Sequence, residues 1–261
     1  MAVTQLARTD LEALLRKRQL DGTLTSTHPL PDEAAMAPTG LAALDTRLGG
    51  GWPRGQVSEI VGPACSGRWR VALSSLTAAT RRGELVALVD TLDVFDPGPA
   101  AALGPHWPYW LWVRGTALGA RGGGRLGGRA QHTVLAEALD RAVKATALVL
   151  SAGGFGLVVL DLAELPRAVV RGVPFTTWLR LQRMVAGQEA ACVIVGAEPL
   201  ARGPRGLTVS LSAAPQGRWR GQGPRARLLC GLGTRACVVR AQRGPEGGRD
   251  VLIDVPVAEA G

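Results

Sequence analysis

Lysine is almost missing from this 261-residue chain. Lys17 and Lys144 are the only two, so the formal net charge of +9 rests on arginine. A basic excess of this size favours a polyanionic partner, most commonly nucleic acid. A GC-rich coding sequence also favours arginine, and both readings stand at this point. Cysteine is scarce as well: Cys65, Cys192, Cys230 and Cys237 form no C-x-x-C pair. That argues against structural zinc and a disulfide framework, and for buried reduced thiols. No long uninterrupted apolar run is present; the stretch "TALVLSAGGFGLVVLDLAEL" is broken by glycines and by Asp161, which excludes a membrane span of helical type. The opening "MAVTQLARTDLEALLRKR" carries acids and no central apolar block leading to a cleavage site. It does not read as a secretory signal, and the expected location is the cytoplasm, away from membrane.

What is present is enough for one substantial α/β domain with a small appendage: 46% of residues are hydrophobic and 20% charged. Residues 1–37 read as an arm, a helix with Leu11, Leu14 and Leu15 at helical spacing followed by a Gly/Thr/Pro-rich linker. Such a helix docks either on its own domain or on a partner. Residues 38–257 read as the core. "GQVSEIVG", "ELVALVD", "WPYWLWVRG", "FGLVVLD" and "ACVIVGA" read as strands, the near-continuously apolar ones suited to burial on both faces. Helices are expected between them, at "GLAALDTRL", "RVALSSLTAATRRG", "TVLAEALDRAVKATALVLSAG" and "FTTWLRLQRMVAGQE". "GLTVSLSA", "RARLLCG", "ACVVRAQR" and "RDVLIDV" then predict short antiparallel strands. The fold class is α/β, a largely parallel sheet with helices on both faces and a C-terminal β meander. A Gly/Arg-rich loop, residues 119–131, interrupts the order and is too polar to bury.

"GPACSGRW" has the glycine frame of a phosphate-binding loop, G-x-x-x-x-G-K-[ST], at Gly62 and Gly67. Arg68 stands where that loop has lysine, and Trp69 where it has a hydroxyl. A guanidinium keeps the charge but not the ammonium's shape, and tryptophan has no oxygen to offer magnesium. Ser66 completes the loop. Backbone N–H groups at the helix start could still hold an anion, so weak ATP binding remains compatible with the sequence.

The block "PTGLAALDTRLGGGWPRGQVSEIVGPACSGRW", continued by "LVALVDTLDVFDP", "LVVLD" and "ACVIVGA", resembles the RecA-type recombinase core. The resemblance implies a RecA-like P-loop fold and a short set of positions where ATP chemistry resides. The frame of "DTLDVFDP" puts Leu92 where active members carry the glutamate that orients the attacking water, with Asp93 its neighbour. Asp161 matches the acid closing the next strand, although an acid there also serves to cap a turn. Gly196 and Ala197 stand where a polar γ-phosphate sensor is expected. With several electrostatic elements changed together, no catalytic residue, metal site or resident cofactor is expected.

The altered loop, the short chain, the N-terminal helix and the arginine-rich C-terminal strands are similar to ImuA, a RecA-like family of bacterial DNA-damage mutagenesis cassettes. That resemblance implies a non-catalytic accessory role in translesion synthesis. The partners it implies are an ImuB-type Y-family polymerase homologue, DNA and RecA, with homo-oligomers also in view. Two other readings stand beside it: an ATP-dependent RecA-type recombinase or paralogue in DNA repair, and a DNA-binding module unconnected with mutagenesis. A RadA-type ATPase would carry N-terminal zinc-binding cysteine pairs, which this sequence lacks. By the RecA resemblance the DNA-facing loops contain Arg167 and Arg171, then Arg202 and Arg205. "GRWR" adds Arg218 and Arg220 flanking Trp219, a side chain able either to stack on a base or to pack at a sheet edge.

Overall fold

The chain enters its sheet domain through a local knot built by the "PTGLAALD" block. In the computed structural model, which describes residues 36–115, 128–201, 206–213, 216–223, 225–240 and 251–256, β1 (Met36–Ala37) pairs antiparallel with β2 (Trp52–Pro53). Between them runs α1 (Ala42–Leu48). The Asp45 carboxylate accepts the Thr39 N–H at 2.7 Å, and the Thr39 hydroxyl accepts the Leu41 N–H at 3.1 Å. Gly40 has φ +77°, and a Cβ there would lie 2.9 Å from Ala78 Cβ. Both the backbone and the space require glycine, which explains why this block is legible as a motif.

Among the described residues, nine strands form the main sheet. They comprise β3 (Val57–Val61), β4 (Leu85–Asp90), β5 (Trp110–Arg114), β6 (Phe155–Asp161), β7 (Ala191–Gly196), β8 (Thr208–Leu211), β9 (Gln216–Arg220), β10 (Leu228–Arg240) and β11 (Val251–Pro256). The order is β11-β10-β8-β3-β7-β6-β4-β5, with β9 on β10. From β8 to β5 every pairing is parallel, and β10 meets β8, β9 and β11 antiparallel. The α/β class and the C-terminal antiparallel strands agree with expectation.

Alternation along the strands supplies two cores. Val193 and Val195 of β7 join Leu44, Val71 and Leu76 on the side of α1 and α2 (Arg68–Arg81). Cys192 and Ile194 join Leu139, Trp178 and Leu181 on the other, the side of α4 (Gly128–Ala152), α5 (Arg167–Arg171) and α6 (Phe175–Val185). The short α3 (Pro97–Ala101) follows β4 and is capped by the Asp96 side chain. The period of two places successive residues on opposite faces, and helices cover both.

Some local expectations change. Trp107 belongs to a 3-10 turn, Trp107–Tyr109, and of the three tryptophans in this stretch Trp110 and Trp112 are the strand residues; Pro108 inside the turn removes a donor a strand would need. "RARLLCG" and "ACVVRAQR" contribute to one continuous strand, β10, which serves β9, β8 and β11 in turn. The helix of α4 begins at Gly128, within the Gly/Arg-rich stretch. Of the four thiols only Cys192 is fully buried, and burial pushes it up to about 12. Cys65 is exposed, and Cys230 and Cys237 are half-buried. Residues 1–35, Arg202 and Arg205 lie outside the described residues.

Candidate functional site

The carboxyl ends of β3, β7 and β6 point at one crevice, the place where open α/β sheets position ligands. The loop from Gly62 leads across it into α2, whose N-cap, Gly67, has φ +91°. Ser66 is fully buried beneath this loop, and a Cβ on Gly62 would meet its Oγ at 2.6 Å. The Ser66 carbonyl accepts from the Thr234 hydroxyl of β10 at 3.0 Å, so the meander's long strand buttresses the loop.

Arg68 turns into the crevice and is 6% exposed. Its Nη1 donates to the carbonyls of Gly62 at 2.5 Å and Gly196 at 3.3 Å. Its Nη2 donates to the Ala163 carbonyl at 2.7 Å and approaches the Glu164 carboxylate at 3.5 Å. The guanidinium thereby has acceptors from three strand ends. Trp69 is half-buried in an aromatic cluster: its ring meets Phe95 edge-on at 5.6 Å, and Phe95 stacks on Trp110 at 5.9 Å and meets Trp112 edge-on at 5.1 Å. The position of the loop hydroxyl is thus part of the packing that ties α2 to β5.

The acids nearby are engaged internally. Asp161 is 8% exposed and accepts the Ala163 N–H at 2.8 Å. Burial raises its carboxyl to about 6; the Ala163 N–H and Arg68 oppose the rise, and the neighbouring Asp90 and Glu164 add to it. Asp90, in register with Asp161, accepts the N–H groups of Val94 and Phe95 and the Trp112 indole. Leu92 is 6% exposed in the apolar cluster with Leu162 and Leu165. Asp93, at φ +56°, receives two hydrogen bonds from Arg114 at 2.7 and 2.8 Å, which hold its carboxyl below the ordinary range.

The predicted contact arginines separate into two regions. Arg167 opens α5 and is exposed, whereas Arg171 at its end makes two hydrogen bonds of 2.6 Å to Glu198. That pairing lowers the Glu198 carboxyl and raises Arg171. Arg218 and Arg220 lie on β9, an exposed strand that, among the described residues, pairs with β10 alone. They occupy one face of the strand and Trp219, 57% exposed, the other.

Sequence reasoning missed Glu59, although a carboxylate inside the apolar run "VSEIV" is its own signal. It is 1% exposed, accepts the N–H groups of Leu200 at 2.5 Å and Ala201 at 2.7 Å, and accepts the Thr208 hydroxyl at 3.0 Å. It moors the segment that follows β7.

Residues 24–108 match the RecA N-terminal domain. RecA of Salinispora tropica is 49% identical over 73 residues, 28% of this chain and 21% of that protein. RecA of Arthrobacter sp. is 50% identical over 68 residues, 26% of this chain and 19% of that protein. The chain thus spans about a fifth of the length of these curated relatives. The crystal structure of the RadB recombinase is similar over 83% of this chain and 94% of that one, with a TM-score of 0.55 and 19% identity. The fold is similar to that of the RadB recombinase, and the sequence similarity to RecA is concentrated around the loop block.

Proposed function

We propose that this chain is a non-catalytic, RecA-like accessory protein of DNA-damage-induced translesion synthesis, in the manner of ImuA. It acts through contacts with DNA, with an ImuB-type polymerase homologue and with RecA, and self-association belongs to the same reading. The observation that carries it is the engagement of Arg68 with the carbonyls of Gly62, Ala163 and Gly196. In an active loop the corresponding cation reaches the terminal phosphates, and the next hydroxyl holds magnesium. Here the cation has internal acceptors and the hydroxyl position carries a packed indole, so ATP with magnesium does not fit these residues. Buried Leu92 and the Arg114-bound Asp93 leave no general base where the resemblance would put one. Removing one electrostatic element of this kind costs on the order of a hundredfold or more in rate, and several are changed.

Reconstitution tests the reading. The full chain is expected to co-elute with the polymerase homologue and to retain labelled DNA without nucleotide. Binding to DNA with no response to the homologue would make it a DNA-binding module outside mutagenesis. Strand pairing driven by ATP would make it a recombinase.

A further inference from the structure

Arg68 is the first residue of α2, and its guanidinium reaches the tips of three consecutive strands. β7 lies between β3 and β6 in the sheet, and the acceptors are Gly62 after β3, Ala163 and Glu164 after β6, and Gly196 closing β7. The two segments that depart from the β6 and β7 tips are also tied to each other. Arg171 of the first holds Glu198 of the second, and Glu59 from inside β3 holds the amides of Leu200 and Ala201. Arg68 thus bonds both segments at their starts, and two further sets of contacts hold them downstream. All of these partners belong to the chain itself.

We propose that Arg68 is a built-in clamp, a positioning residue that keeps the segments after β6 and β7 in one arrangement at all times, so that their contact with nucleic acid needs no nucleotide. The nucleic-acid part rests on the function proposed above; the clamp itself does not. A planar fork with five donors suits acceptors that converge from several directions, and an ammonium with three donors on a flexible stem serves them less well. Removing the side chain takes that donor from the Gly62 and Ala163 carbonyls and leaves the Gly196 carbonyl with the Gly62 N–H alone, at a buried junction where unmet acceptors open to water.

Hydrogen exchange on the full chain, with a labelled single-stranded oligonucleotide titrated in parallel, tests this. In the native chain, adding magnesium and ATP leaves exchange across 162–172 and 196–201 unchanged. Arg68→Ala speeds exchange in both segments by about tenfold while β4 and β5 keep their protection, and guanidinium ion below denaturing concentration restores part of it. Arg68→Lys loosens the same two segments to a lesser degree, and it carries the test if the alanine variant fails to fold. Unchanged exchange in 162–172 and 196–201 for the folded variants overturns the clamp, as does native protection that rises with magnesium and ATP. Loosening by Arg68→Ala in a chain whose native form does not bind the oligonucleotide upholds the clamp and removes the nucleic-acid reading instead.

Discussion

At the tips of β3, β7 and β6 an arginine is enclosed by acceptors of its own chain, whereas around β9 and the start of β10 Arg218, Arg220, Arg225 and Arg227 are exposed. The sequence sharpens the contrast. No aspartate or glutamate occurs between Glu198 and Glu246, while in the crevice Asp161 feels Asp90 and Glu164 as well as the Arg68 guanidinium. One residue type thus has two physical roles, set by what surrounds it. In the crevice an arginine is a structural cation whose removal uncovers buried acceptors. On the hairpin it contributes to an outward field that attracts polyanions.

The largest effect that separates the two regions is expected from charge reversal on the hairpin. Arg218→Glu combined with Arg220→Glu should weaken single-stranded DNA binding by about a hundredfold and flatten its salt dependence by about two. The melting temperature should stay where it is; unchanged affinity would move the DNA contact elsewhere. In the crevice, Trp69→Thr restores a hydroxyl, yet it should cost about 2–3 kcal/mol in denaturant unfolding because the contact with Phe95 is lost. Phosphate release from ATP should not appear in that variant, and its appearance would show that the packed indole alone blocks the chemistry.

Asp161 gives a smaller effect with a definite sign. Its folded carboxyl is raised from 3.8 to about 6, so the stability it contributes is fully present below about pH 4 and is lost as pH rises through 6. Asp161→Asn keeps an oxygen for the Ala163 N–H and removes the buried charge. It should stabilise the chain by about 1–3 kcal/mol at pH 8 and by little at pH 4. Destabilisation at pH 8 would assign the carboxylate a role beyond the turn. The smallest effect is expected at the surface: Glu198→Gln opens an exposed pair and should leave the melting temperature unchanged.

The contrast also explains what was legible in the sequence. Strands such as "LVVLD" and "ACVIVGA" are covered on both faces, so their apolar runs announce them, and the loop block is fixed by local needs at Thr39, Gly40 and Asp45. Arg68 could be recognised as a departure from the loop pattern, but its destination could not. Its acceptor Ala163 lies 95 residues away and Gly196 lies 128 away, a distance over which no local period informs. The same holds for Glu59, whose partners at Leu200 and Ala201 are 141 and 142 residues on. Trp69 reads as a lost hydroxyl in the sequence, and only the neighbouring Phe95 and the two strand tryptophans reveal a packing role. Continuity of β10 was hidden by its glycines, which divide the apolar pattern without dividing the strand.

Phosphate release from ATP by the full chain, followed with and without magnesium and single-stranded DNA while DNA binding is recorded in the same samples, tests the central claim most directly. The account predicts no release above the buffer rate and a DNA affinity indifferent to ATP. Magnesium-dependent release that DNA stimulates would contradict it, and would mean that Arg68 leaves its carbonyls to meet a phosphate.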